Sequence, residues 1–273
     1  MTTSLVVIKF GGEIVENDEQ LNNLVTAIGD LHRERIKVVL VHGGGPMATK
    51  LSQKMGLIPK MIGGRRVTCA DTLQVMKMVL PGIANSDILA KFRAHHLPAA
   101  SVSGITTVKA VRRSPKAVSG SDGHVVDFGF VGDIVDIDPT VIEALLAKNL
   151  IPVVGPLSCD DSGQILNINA DTVAVQIARK LKASEFVLIT EVGGVYQDLK
   201  NPDSRLKKLT IAEAKEKIKS KVIEGGMIPK LEESFVLLEE GLKVFHIAGI
   251  KSPADLVREI RDPGSCGTAV IKH

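Results

Sequence analysis

The chain has 273 residues, with 34 Lys+Arg against 31 Asp+Glu for a formal net charge of +3, and is 44% hydrophobic and 24% charged. That balance excludes disordered and fibrous chains, while the length is enough for one large or two moderate domains around a buried core. A single Tyr, no Trp and so small a charge exclude a dedicated nucleic-acid surface, and three scattered cysteines without a CxxC argue against a disulfide framework or a cysteine zinc site.

The first apolar run, Leu5–Ile8, stops at Lys9 and is too short for a signal peptide. No stretch approaches the roughly 18 to 20 apolar residues of a membrane span, so a cytoplasmic location is expected. Leu5–Phe10 reads as a buried strand. Asp18–Arg33 reads as an amphipathic helix, with Leu21, Leu24, Val25, Ile28 and Leu31 on one face. Val38–Val41 is a second strand that enters Gly43-Gly44-Gly45-Pro46 and a helix to about Met55. Thr72–Phe92 has helical period with an interruption at Pro81-Gly82, and Pro98–Val102 and Thr107–Val111 read as strands. Arg112–Gly123 is polar and Gly/Ser-rich, a solvated hairpin or loop.

The second half continues the alternation. Helices are expected at Pro139–Lys148, Ala170–Leu181, Ile211–Lys219, Pro229–Glu240 and Pro253–Ile260, with strands at Ile151–Val154, Phe186–Ile189, Val244–Ile247 and Ala269–Ile271. Continuous Val/Ile/Leu strands between helices indicate an α/β fold with a mostly parallel sheet covered on both faces. No linker divides the chain, so any two lobes share one sheet.

Four places carry unusual chemistry. In Lys9-Phe10-Gly11-Gly12 a lysine closes a buried strand before two glycines, whose amides can approach a ligand unobstructed. Taken alone, the motif reads as a tight turn with a snorkelling lysine. His42-Gly43-Gly44-Gly45-Pro46 places glycine amides at a helix N-terminus, an anion-binding arrangement that is neither a Walker A loop nor a dinucleotide fingerprint. His42 itself reads as a packing residue at a strand end, and no histidine shows metal-ligand spacing. Asn167-Ile168-Asn169-Ala170-Asp171 exceeds the polar content that one helix cap requires. Lys230 follows Pro229 at a helix start, where a cation is misplaced unless it faces an anion.

Cations and backbone amides around a phosphate are what phosphoryl transfer needs, and a carboxylate acceptor is already ionised at pH 7, so no general base is required. The run of motifs from Val7–Gly12 through His42–Gly45, Arg66-Val67-Thr68, Asn167–Asp171 and Gly226–Lys230 to Gly267-Thr268 resembles the amino acid kinase family over essentially the whole chain. Within it, the chain resembles the branch that phosphorylates N-acetyl-L-glutamate.

The resemblance implies a three-layer αβα sandwich around a mostly parallel sheet, the amino acid kinase fold. Residues 1–175 would form an acyl-amino-acid and dimerisation lobe, and 176–273 an ATP lobe. It implies ATP-dependent phosphorylation of the side-chain carboxylate of N-acetyl-L-glutamate in arginine biosynthesis, with Mg²⁺ held by phosphates and water and no metal bound by side chains. Lys9 and Lys230 would stabilise the transferring group and Asp171 orient both. Gly44, Gly45, Arg66 and Asn167 would bind the acyl-amino acid. Gly11 and Gly12, Glu191, Val192, Gly193, Gly194, Val195 and Tyr196, and Val222, Ile223 and Glu224 would meet the nucleotide.

The expected partners are the acyl-amino acid, ATP and a second copy of the chain, with no nucleic acid and no membrane. Because the first strand begins at once, without the helix that precedes it in arginine-inhibited relatives, a homodimer without strong arginine feedback is expected. Cys69 stands where many relatives have Asp and reads as a small packed thiol. Glu191 replaces a usual Asp, and Ser158-Cys159-Asp160-Asp161 a more apolar stretch. The alternatives are a sibling kinase acting on N-succinylglutamate or a carrier-linked aminoadipate, and a non-catalytic amino-acid sensor of the same fold.

Overall fold

The computed structural model describes residues 4–118 and 121–273. Its centre is an eight-stranded sheet. From one edge to the other the strands are Lys208–Thr210, Thr268–Ile271, Val244–Ala248, Glu185–Ile189, Leu5–Phe10, Lys37–His42, Ile151–Gly155 and Ala99–Ser103. Six of them run parallel from Val244–Ala248 to Ala99–Ser103, and the other two run the opposite way. The sheet therefore joins strands from both ends of the chain, as a chain without an internal linker requires.

Strand alternation builds the layers. Val6, Ile8 and Phe10 enter one apolar core with Leu24, Ile28, Phe92 and Leu256, while Val7 enters the other with Val173, Ile177, Phe235 and Leu238. Helices Asp18–Arg33, Asn85–Ala94 and Pro253–Arg261 thus cover one face, and Thr140–Ala147, Ala170–Lys180 and Met227–Glu239 cover the other. Lys9 follows Val7 by two residues, so it points toward the second set of helices.

A smaller sheet orders Ile165–Asn167, Leu157–Cys159, Val108–Arg112 and Gly132–Ile137 beside the main one. The strand expected at Thr107–Val111 belongs here, because a helical turn at Gly104–Thr107 redirects the chain after Ala99–Ser103. Pro81-Gly82 does not break its helix. Residues Ala70–Met78 and Asn85–Ala94 are joined through a π-helical stretch, Val79–Ala84, whose wider turn accommodates the ring and missing N–H of Pro81. Within the expected 112–123 loop, Lys116–Ala117 pairs with Val125–Val126 as a hairpin, and Ser119 and Gly120 lie outside the described residues.

Candidate active site

Parallel strands end together, and the loops that follow them form one rim. Register pairs Phe10 with His42 and Lys9 with both Val41 and Leu188, so the glycine turns after Phe10 and His42 and the segment after Ile189 leave the same sheet edge. The two glycine turns touch. Gly43 N donates to Phe10 O at 2.8 Å, and a Cβ on Gly12 would lie 2.8 Å from the Gly44 Cα. Any side chain on Gly12 would therefore wedge the turns apart. Helix Gly45–Lys54 begins on Gly44 with no side-chain cap, leaving its first amides available to an anion.

Lys9 is buried at this rim, and its Nζ lies 2.7 Å from Asp171 Oδ1. Asp171 occupies the first turn of helix Ala170–Lys180, and Asn169 caps that helix by accepting from the Asp171 N–H at 3.0 Å. One asparagine is thus spent on a cap, as expected. Apart from its ion pair with Lys9, Asp171 Oδ1 is buried without a hydrogen-bond donor.

Arg66 reaches the second glycine turn. Its Nη2 donates to Gly45 O at 3.0 Å and to Thr49 Oγ1 at 2.7 Å, while Nη1 is buried without a partner. Burial lowers the Arg66 pKa from its usual value, and the orphaned N–H groups are a ready clamp for a carboxylate. Asn167 ends a short strand and donates from Nδ2 to Thr68 Oγ1 at 3.1 Å, two residues beyond Arg66. The structure therefore gathers Gly11, Gly12, Gly44, Gly45 and Arg66 into one cluster of contacts. It joins Lys9 to Asp171, and it ties Asn167 to the segment that carries Arg66.

Lys230 stands half-buried in the first turn of Met227–Glu239, a helix packed on Ala170–Lys180, and forms no ion pair among the described residues. One turn later on the same helix is Glu233, absent from the residues that the sequence singles out. Its Oε1 accepts from Thr172 Oγ1 at 3.4 Å, beside Asp171. Burial and then the Asp171 charge raise its pKa to about 7, against the opposing pull of Thr172, Lys9 and Arg65. Its one sequence signal is the i,i+3 spacing from Lys230.

The nucleotide candidates divide. Glu191 and Val192 are exposed just beyond the strand Glu185–Ile189, and Glu224 is exposed beyond helix Ile211–Lys219. Val195 and Ile223 are buried in the core, so they could offer a ligand only their backbone. Even the Val195 N–H is engaged, donating to Thr268 Oγ1 at 2.9 Å. Gly193 donates to Thr190 Oγ1, Gly194 packs against Arg205 and Thr268, and Tyr196 bridges to Arg205. Val222 is half-buried.

His42 is fully buried, with Nε2 3.2 Å from Asn85 Nδ2 and Nδ1 3.0 Å from Gly43 O. Burial, only partly offset by Gly43, lowers its pKa to about 4, so it is neutral with the proton on Nδ1, a packing residue and not a base. Cys69 corrects the packed-thiol expectation. It is exposed at the start of helix Ala70–Met78, where the chain turns outward, and the hydrogen bond with Thr72 lowers its pKa.

Residues 4–248 match the model of the amino acid kinase family. The chain is 42% identical to an acetylglutamate kinase of Anaeromyxobacter dehalogenans (strain 2CP-C), covering 97% of this chain and 98% of the relative. It is 41% identical to an acetylglutamate kinase of Sorangium cellulosum (strain So ce56), covering 98% and 95%. Among solved structures, smu.665 of Streptococcus mutans UA159 superposes with a TM-score of 0.79 at 28% identity, covering 98% and 99%. A match of this extent, on a sheet whose parallel strands all deliver their loops to one rim, means that the chain belongs to the amino acid kinase family.

Proposed function

We propose that this protein transfers the γ-phosphoryl group of ATP to the side-chain carboxylate of N-acetyl-L-glutamate, giving N-acetylglutamyl 5-phosphate and ADP in arginine biosynthesis. Relatives named acetylglutamate kinase that align with nearly the whole chain support it. The observation that carries it structurally is the pairing of Lys9 with Asp171 beside two glycine turns in contact, one of them gripped by an Arg66 with an unpartnered nitrogen.

In this reading residues 1–175 take the acyl-amino acid and 176–273 the nucleotide. Arg66 binds a substrate carboxylate through its free guanidinium edge, and Asn167 binds the same substrate. Gly44 and Gly45 present amides to the acyl-amino acid and the γ-phosphate, while Gly11 and Gly12 let the phosphates approach the backbone. Lys9 and Lys230 offset the charge that develops on the transferring group, with Asp171 holding Lys9 in place. The acceptor carboxylate is ionised at neutral pH and attacks without a base, consistent with a neutral His42. The segments 191–196 and 222–224 contact the nucleotide.

Mg²⁺ supplies charge neutralisation on the phosphates. Among the described residues no cluster of side chains could hold a metal ion, and Asp171 is engaged with Lys9, so Mg²⁺ would be held by phosphate oxygens and water, which suits its preference. A cytoplasmic homodimer completes the reading; the edge strand Ala99–Ser103 offers unpaired backbone for a second copy. A coupled ADP-release assay with N-acetylglutamate, N-succinylglutamate, aspartate and glutamate tests the reading. Turnover should be highest with N-acetylglutamate, and preference for another acceptor or no turnover would overturn it. A sedimentation mass of two chains is expected.

A further inference from the structure

Glu233 has no part in the proposed chemistry, yet it sits where that chemistry happens. Its carboxyl lies between two helix starts, accepting from Thr172 Oγ1 at 3.4 Å on Ala170–Lys180 and following Lys230 by one turn on Met227–Glu239. Thr172 adjoins Asp171, whose Oδ1 is 2.7 Å from Lys9 Nζ. The charged groups that act on Glu233 are Asp171 from the first helix, Lys9 from the central strand and Arg65 from the short strand Arg65–Arg66; Lys230 and Glu232 share its own helix. Two carboxyls, Asp171 and Glu233, therefore bear on one buried lysine.

We propose that Glu233 is a proton-linked positioning residue: it takes a proton from solvent when nucleotide phosphates arrive at Lys9, so that nucleotide binding and proton uptake are one event. The inference rests on the phosphoryl-transfer reading of the rim. A polyphosphate beside Lys9 adds negative charge next to a buried lysine and a half-buried carboxyl, and the least costly relief is to neutralise the carboxyl least committed to a cation. Asp171 holds Lys9 directly, whereas Glu233 has only a hydroxyl donor at the long end of hydrogen-bond range. Its pKa of about 7 before any ligand arrives places it ready to change state near neutral pH. Protonated, Glu233 leaves Lys9 to Asp171 and the phosphates; ionised, it competes for the same cation.

The test is isothermal titration of ATP into the whole protein at about pH 7.5, without acceptor, in two buffers of different ionisation enthalpy. The native protein should take up roughly half a proton more per nucleotide than Glu233→Gln, a difference in which protons lost by ATP itself cancel. In steady state, kcat/KM for ATP should fall as pH rises through about 7 in the native enzyme, and Glu233→Gln should lose that limb. Thr172→Val removes the donor that favours the ionised form, so it should move the limb to higher pH, and it carries the test if Glu233→Gln fails to fold. Equal proton counts, or a limb that neither substitution moves, would overturn the proposal. Failure of the native protein to bind ATP would instead overturn the site reading beneath it.

Discussion

Two buried ionic clusters among the described residues differ in how far their members are satisfied. Beneath the C-terminal strands, His246 is fully buried with Nδ1 3.0 Å from Glu259 Oε1 and Nε2 3.2 Å from Glu185 Oε2. Glu259 also accepts from the backbone N–H groups of Gly264, Cys266 and Gly267 at 2.8, 2.9 and 2.7 Å. At the rim, Asp171 Oδ1 has only its 2.7 Å ion pair with Lys9 among the described residues, and Arg66 Nη1 is buried with no hydrogen-bond partner. A closed network fixes a loop; an open one keeps capacity for a ligand. The closed cluster also anchors the segment leading to Thr268, which receives the Val195 N–H of the proposed nucleotide segment, so the first supports the second.

The contrast can be broken from either side. Glu259→Ala would leave His246 and three backbone donors without their carboxylate, and should cost about 3–5 kcal/mol in denaturant unfolding. A loss well under 1 kcal/mol would mean that the cluster does not hold the loop. Asp171→Asn should do the reverse, lowering kcat by about a hundredfold with the unfolding midpoint nearly unchanged. A midpoint collapse with intact turnover would make the rim pair structural. Arg66→Ala should mainly raise KM for N-acetylglutamate, by about tenfold, and a pure kcat effect would reassign it.

The smallest expected effect is a pair of opposed pH slopes from two buried histidines. Burial pushes His246 down, but hydrogen bonds and charge from Glu185 and Glu259 outweigh it, and its pKa is raised from 6.5. The folded state then binds the extra proton, so this contribution to stability is complete below about pH 6.5 and is lost as pH rises through the folded value. His42 is lowered to about 4, so its contribution is present above pH 6.5 and is lost as pH falls toward 4. Each slope is at most about 1.4 kcal/mol per pH unit. His246→Gln should flatten the first and His42→Gln the second in unfolding measured across pH; slopes unchanged in both would contradict the assigned charge states.

Long periodic elements are legible in the amino-acid sequence itself. Leu5–Phe10 and Asp18–Arg33 keep their expected bounds because a short continuous apolar run ending in glycines and a long helical apolar face are each plain in the sequence. Strand alternation turns Lys9 toward Ala170–Lys180, although which carboxylate waits there comes only from a family resemblance. The smaller sheet is not legible, because Leu157–Cys159 and Ile165–Asn167 are three residues each, too short to show a period. Helical continuity through Pro81 is hidden since proline signals a break, and only the π-helical stretch shows how it is absorbed. Glu233 is invisible for a different reason: its meaning depends on Thr172, 61 positions away, and on burial that no local pattern encodes.

Lys9, clamped by Asp171, is the group proposed to stabilise a phosphoryl group in flight. Single-turnover measurement of N-acetylglutamyl phosphate formation from ATP by Lys9→Ala, on protein whose unfolding matches the native chain, tests this role most directly. The rate should fall by on the order of 10²-fold or more. A rate equal to that of the native protein would contradict it.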